Sequence, residues 1–397
     1  LSSCLAEYSL SSHATMSPDP KTEALDFNSP VELTVIAHDG VTKQTYTVQK
    51  AVPDKIPYGY RKGSETELFK LDMGVIGLPW TSANSPSLAV NGNNLVVCLG
   101  DGSTAPTYYN ASTGSKIGNM TLGSVGVASL GCVTSDSKGN ILLATKAANG
   151  KFFSIYKTSS VTTAPTLLTS YTNNTSLDMG TKVSVQGDIN TNAAIIATCD
   201  GTASSGSNTF VRWIITNGVL GNPEVVSVNG VGYWGSPVSN TKVVTKGTTA
   251  QSDYFLSYYD PNVLYWVNGT SNNASKSLSN SDNGNSWAMN NNCLDARTFN
   301  NAQYLVLVST AHFPQWGGTP YLYMYDVTSD GSFTGTVSTS DALTFNPSLS
   351  SFGSADGVAA TGDVLLAPTT DGYKLRLYYV DNNCKIIGGY EFDCIDK

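Results

Sequence analysis

One strand type recurs six times along this 397-residue chain: TYYNAS, FFSIYKT, TFVRWIIT, VLYWVNG, YLYMYDV and KLRLYYVDN. Anchored on Tyr109, Tyr156, Trp213, Trp266, Tyr325 and Tyr379, the copies lie 47, 57, 53, 59 and 54 residues apart. Each is preceded by an apolar run (NLVVCLG, NILLATK, AAIIATC, DYFLSYY, YLVLVST, DVLLAP) and followed by a polar turn such as NASTG, TNGVLGN or DNN. Another short strand follows the turn, as in SKIGNM, TLLTSY, EVVSV and KIIGGYEF, and a smaller inner strand such as SLAV, GCVTS or LDART lies further upstream. Self-similarity at this period marks one repeated supersecondary unit, and four short strands in about fifty residues is the size of a propeller blade. Strands such as YLYMYDV are apolar on both faces, as a blade packed between two neighbours requires. The expected fold is all-β, a β-propeller of roughly six blades. Glu67 to Met73 (ELFKLDM) is a candidate outer strand that would close the ring, and the repeat alone leaves this open.

Composition agrees with a chain folded throughout. Hydrophobic residues make up 40% and charged residues 13%, whereas disorder shows high charge and few aromatics. The 37 glycines sit among many Asn, Ser and Thr, which is turn chemistry. The net charge is -8 and no Lys/Arg-rich run occurs, so a nucleic-acid partner is not expected. No apolar run approaches the roughly 20 residues of a membrane-spanning helix. The chain starts at Leu1 with no signal peptide, as a mature or trimmed chain would. Seven cysteines at irregular spacings match no zinc motif. Cys98 and Cys199 lie in apolar strands and are expected as buried free thiols. Cys384 and Cys394 flank one strand, where a disulfide is the weaker reading.

The first fifty residues differ from the rest. VELTVIAH (Val31 to His38) and KQTYTVQK (Lys43 to Lys50) alternate as half-buried strands do, with Asp39-Gly40 as the hairpin signal between them. His38 and His13 are expected in solvated turns. Pro53 and Pro57 end the pairing. The expected organisation is a sandwich piece over 1–51, a linker over 52–65 and the propeller over 66–397.

The stretch ATMSPDPKTEALDFNSPVELTVIAHDGVTKQTYTVQ resembles the end of the immunoglobulin-like domain repeated at the N-termini of Bacteroidetes surface lipoproteins. That family's pattern runs through an SP turn, DFSNPV and YTVTAEDGSTKTYTV, which Asp26 to Val31 and Asp39 to Val48 match; its opening strand has no counterpart here. The resemblance implies a partial immunoglobulin-like sandwich acting as a spacer, and export to the outer membrane, cell surface or periplasm with a lipid anchor on the precursor. It implies no chemistry. Within the repeats, TSDSKGNILLAT (Thr134 to Thr145) is similar to a turn of six-bladed propellers of the NHL kind. YYNASTGSKI (Tyr108 to Ile117) resembles the turn of quinoprotein and surface-layer propellers. Both are structural signatures.

Candidate contacts follow from the propeller pattern. With strand a innermost and d outermost, the d-to-a connections and b-to-c loops share one face. The d-to-a connections contain Trp80, Trp234, Trp287 and Phe352, and the long b-to-c loop HFPQWGG holds His312, Phe313 and Trp316. Large aromatics gathered on one face suit a ligand, and indoles beside Asn and Asp suit a sugar, whose C–H face stacks while its hydroxyls take hydrogen bonds. Taken singly, Trp80, Trp234 and Trp287 are expected first as wedges between blades and second as ligand contacts. The His312 to Trp316 loop is expected to touch ligand, because a long loop seldom needs such aromatics for packing. Asp295 and Asp356 are placed near the mouth, where each is expected first to cap a turn and second to act on a ligand.

Catalytic patterns are thin. Glycoside hydrolysis needs two carboxylates flanking the bond, and after residue 60 the only Glu are Glu65, Glu67, Glu224 and Glu391, none on an expected inner strand or mouth loop. A serine hydrolase would have to use His312, and no G-x-S-x-G elbow occurs. DNGN (Asp282 to Asn285) has a calcium-like composition that turns in this chain share. No cofactor, metal or catalytic residue is expected. The favoured reading is an exported carbohydrate-binding protein. The alternatives are a protein-interaction or adhesion module on a surface protein, and an enzyme acting on polysaccharide through Asp295 and Asp356.

Overall fold

A computed structural model describes residues 3–81, 83–201, 206–235, 241–259, 262–280, 289–314, 318–353 and 361–396. They form two compact units, one of residues 1–55 with 395–397 and one of residues 56–394.

The smaller unit holds three antiparallel strands, Thr15–Ser17, Val31–Ile36 and Lys43–Val48, paired in that order. The period-2 pattern buries Leu33, with Phe27 beside it in the chain's buried set. The turn joining the last two strands forms where Asp39-Gly40 predicts it. Asp39 Oδ1 accepts the backbone N–H groups of Val41 and Thr42 at 2.9 and 2.8 Å. Gly40 sits at φ +72°, a conformation that costs residues with a Cβ.

The larger unit is a ring of six antiparallel sheets among the described residues. Blade I is Ser87–Asn91, Asn94–Cys98, Thr107–Asn110 and Lys116–Asn119. Blade II is Leu130–Ser135, Ile141–Thr145, Phe152–Thr158 and Thr166–Thr172. Blade III is Asp178–Gly187, Ala193–Asp200 and Thr209–Thr216, its outer edge split between Val219–Leu220 and Glu224–Ser227. Blade IV is Val244–Thr245, Tyr254–Leu256, Leu264–Asn268 and Asn273–Leu278. Blade V is Met289–Phe299, Ala302–Ala311, Tyr321–Asp326 and Leu343–Phe345.

Blade VI closes the ring. Its first three strands are Gly362–Pro368, Lys374–Asp381 and Ile386–Asp393, and its outer strand is Thr66–Asp72, paired antiparallel from Ile386↔Asp72 to Glu391↔Thr66. ELFKLDM is thus the closing strand. The repeat pattern equates KLRLYYVDN with the third strand of its unit, and here it is the second. The reason is topological: the outer position is filled from upstream of blade I, so the last three strands of the ring are a, b and c. Drawing one blade from both ends of the ring ties them together through a backbone ladder and leaves no open edge at the joint.

Six apolar clusters fill the six junctions between blades. Successive side chains of a strand point to opposite faces, so one strand serves two junctions. In Tyr321–Asp326, Leu322 and Met324 pack toward blade VI while Tyr323 and Tyr325 pack toward blade IV. This is why the recurring strand shows no polar face.

The inner strands surround an axis closed by charge. Lys182 on blade III donates to the Gly362 carbonyl of blade VI at 2.7 Å. Arg297 on blade V donates through Nη2 to the Ser135 carbonyl of blade II at 2.8 Å and through Nη1 to Asp295 Oδ1 at 3.0 Å. Lys242, just before blade IV, pairs with Asp363 at 2.8 Å. Asp363 Oδ2 accepts the Leu88 N–H and Asp295 Oδ2 accepts the Leu366 N–H, binding neighbouring inner strands together. Burial alone would push the Lys242 ammonium down, but Asp363 and Asp295 outweigh it and hold it up. Asp295 is therefore a structural ion-pair partner deep in the channel, 1% exposed, and not a residue of the mouth. Its position in the middle of an inner strand points its side chain at the axis.

All seven cysteines are free thiols. Cys384 and Cys394 direct their sulfurs to different carbonyls, of Gly318 and Gly372, so the weaker reading of a disulfide between them does not hold.

Candidate functional site

One end of the propeller gathers the d-to-a connections and the b-to-c turns. Two of the aromatics that the sequence places there, Trp234 and Trp80, serve the fold. Trp234 is fully buried between blades III and IV among Phe210, Val243 and Leu256, and its Nε1 donates to the Cys199 carbonyl at 2.7 Å. It is a wedge, and a ligand cannot reach its ring. Trp80 is half-buried at the junction of blades VI and I. Its Nε1 donates to the Asn382 carbonyl at 2.9 Å, and Lys385 Nζ lies 5.3 Å from its ring. His312 is 8% exposed, standing edge-on to Tyr259 at 5.3 Å and stacked on Phe313 at 4.3 Å.

Phe313 is half-buried and Phe352 is 42% exposed, the latter pinned by its N–H to the Cys384 carbonyl at 2.9 Å. Trp287, Trp316 and Asp356 lie outside the described residues. The structure thus brings His312 and Phe313 together and sets Trp80, Trp234 and Asp295 apart as packing and ion-pair groups.

Two aromatics that the sequence reading passed over belong to the same end. Tyr259 follows the second strand of blade IV and completes the aromatic cluster of Tyr259, His312 and Phe313. Tyr233 is 70% exposed, because its neighbour Trp234 turns inward and the chain alternates. The YY of DYFLSYY and the YW of GYWGSP carried this signal.

Polar groups surround the cluster. The Asn383 side chain donates to the Ala311 carbonyl at 3.0 Å, and Asp381 accepts the Ala311 and Cys384 N–H groups at 2.8 and 2.9 Å. Asn262 donates to the Met289 carbonyl and accepts the Asn291 N–H, joining blades IV and V. Four buried polar atoms at this end have no hydrogen-bond partner among the described residues. They are Asp200 Oδ1, Ser257 Oγ, Asn292 Nδ2 and Asn383 Oδ1, one from each of blades III to VI. An unpaired buried polar atom costs about 1–3 kcal/mol, a cost that a bound water or another polar group would offset.

Two carboxyls here are shifted upward. Burial pushes Asp200 up to about 7, against the hydrogen bond from Thr181. Burial pushes Asp381 up to about 6, opposed by the N–H groups it accepts. Both sit at the ends of second strands on opposite blades. Asp381 is occupied by backbone donors, which makes it a turn cap. Asp200 keeps one oxygen unpaired. Among the described residues no group of three or more His, Cys, Asp or Glu is placed to hold a metal, and no helix is long and apolar enough to cross a membrane.

Residues 67–393 match the family model described as a domain of unknown function (DUF8500), and residues 1–50 match a second one, DUF8499. No curated protein matches the chain. Among solved structures, a DUF4623 family protein from Bacteroides eggerthii is similar over 100% of this chain and 90% of its own, with a TM-score of 0.60 at 17% identity. A gluconolactonase from Xanthomonas campestris is similar over 86% of this chain and 95% of its own, with a TM-score of 0.44 at 9% identity. The first likeness concerns the fold alone, and the second carries no argument about activity.

Proposed function

The chain belongs to the family described as a domain of unknown function (DUF8500), and we propose that its propeller is a binding module that takes a carbohydrate on the face of the d-to-a and b-to-c connections. The observation that carries this reading is the aromatic cluster of Tyr259, His312 and Phe313 at the end of the ring that also holds unpaired polar atoms from four successive blades. Aromatic faces suit the C–H face of a sugar, and fixed amide and carboxyl groups suit its hydroxyls. The ion pairs across the axis support a ligand held at the mouth rather than one threaded through the ring. Export to the cell surface or periplasm is part of the proposal and rests on the lipoprotein-like first fifty residues, with that unit as the spacer.

A glycan array tests the reading. The wild type is expected to bind a defined glycan class, and Phe313→Ala is expected to lose that binding while unfolding like the wild type. No binding to any glycan would overturn it.

A second reading, a surface for a protein partner, is favoured by the exposure of Tyr233 and Phe352, since exposed aromatics anchor protein interfaces. A hydrolase working through Asp295 and Asp356 loses its first carboxylate, because both Asp295 oxygens are engaged in the channel.

A further inference from the structure

The opposite end of the propeller carries a cleft of about 280 Å³ between the first turns of blades I, II and VI. Its floor includes Ser135, whose carbonyl holds Arg297 across the axis, so the channel network separates this cleft from the aromatic face. We propose that the cleft is a second binding site, for a small hydroxylated carboxylate of the sugar-acid class.

Two cations line the cleft, one without an ion pair among the described residues and one held in place by its own. Asp136 is the one carboxylate among the residues lining the cleft. It is consumed: Oδ1 accepts the Lys138 and Asn140 N–H groups, and Oδ2 accepts the Asn140 side chain and the Ile189 N–H, all at 2.8 to 3.0 Å. The neighbouring Asp371 does not line the cleft and is turned onto its own loop by Thr369 and Tyr373. The two cations are placed differently. Lys138 is exposed and forms no ion pair among the described residues. Arg376 is held rigid, with Nε on Glu391 at 2.8 Å and Nη1 on Asn93 at 3.2 Å.

A pre-organised guanidinium beside a free ammonium suits a carboxylate, with one group fixing geometry and the other adding charge. Hydroxyl and amide groups of Asn93, Ser137 and Thr370 line the remainder and suit a polyol. The site does not depend on the proposed function of the other face.

Calorimetric titration of the full chain with glucuronate, glucose and inorganic sulfate tests it. Glucuronate is expected to bind and glucose to bind at least about tenfold more weakly, the difference a charge-assisted hydrogen bond makes. Lys138→Gln and Arg376→Lys are each expected to weaken glucuronate about tenfold. Lys138 is exposed, so its variant tests the site even if Arg376→Lys disturbs the pairing with Glu391. Binding is also expected to weaken between about 50 mM and about 500 mM salt, and to be unchanged in Phe313→Ala. Absent glucuronate binding, equal affinity for glucose, sulfate binding as tight as glucuronate, or full affinity in both charge variants would each overturn the proposal.

Discussion

Arg297 on the inner strand of blade V reaches the carbonyl of Ser135 on the inner strand of blade II, 2.8 Å from Nη2. In a six-membered ring these two blades face each other, so this hydrogen bond spans the axis. Lys182 makes the same crossing from blade III to blade VI. With Arg297 paired to Asp295 and Lys242 paired to Asp363, the propeller fills its centre with long charged side chains.

Breaking one partner of that network leaves a buried charge alone. Arg297→Met is expected to cost about 3–5 kcal/mol, the range for orphaned buried ion pairs. Pairing it with Asp295→Leu is expected to recover a large part of the loss. Urea unfolding of the two variants measures this, and a single-variant loss below about 1 kcal/mol would contradict it.

Ring closure through Thr66–Asp72 makes the cooperative unit run from one end of the ring to the other. Phe69→Pro puts a proline into the closing strand opposite Gly389 and removes the contact of a buried ring with Tyr378. It is expected to cost about 3 kcal/mol or more. Hydrogen exchange would then rise first in Ile386–Asp393 and Lys374–Asp381, and unchanged protection there would contradict the closing role.

Two aromatics of the same loop face have opposite expected behaviour. Trp234→Ala opens a cavity between blades III and IV and strands the Cys199 carbonyl, at a cost of about 3–5 kcal/mol. Phe352→Ala, at an exposed position, is expected to change stability by no more than about 0.5 kcal/mol. Thermal unfolding of the pair separates packing from presentation.

Asp200 gives a pH dependence of known sign. Its folded carboxyl is raised to about 7 by burial, above its unfolded value of 3.8. The folded state therefore binds a proton that the unfolded state releases, and the group's contribution to stability falls as pH rises from about 4 to 7. Asp200→Asn is expected to gain on the wild type by roughly 1–3 kcal/mol between pH 5 and pH 8. Lys146 and Lys182 oppose the shift, so the gain stays below the full effect of burial. Parallel stability curves for the two proteins would contradict the shift.

The repeat was legible because blades are packed on both sides, which leaves an apolar period that local chemistry reports. The Asp39-Gly40 turn was legible for the same reason, its chemistry being local. Which strand of blade VI is outermost was not decided locally, since it depends on pairing between Ile386–Asp393 and Thr66–Asp72, more than three hundred residues apart in sequence. Trp80, Trp234 and Phe352 lie in connections between an outer and an inner strand, but such a position does not fix side-chain direction. Trp234 and Tyr233 are adjacent and point opposite ways, and which one faces inward is set by the volume between blades III and IV. Asp295 read as a mouth residue because its partner Arg297 offers the same polar signature whether it faces solvent or an axis filled with countercharges.

Hydrogen–deuterium exchange of the protein with a glycan identified on the array tests the proposed receptor face most directly. Protection is expected at the second-strand ends of blades IV, V and VI, around Ser257, Tyr259, His312, Phe313 and Asn383. Protection confined to the outer strands, or to the turns at the other end of the ring, would contradict it.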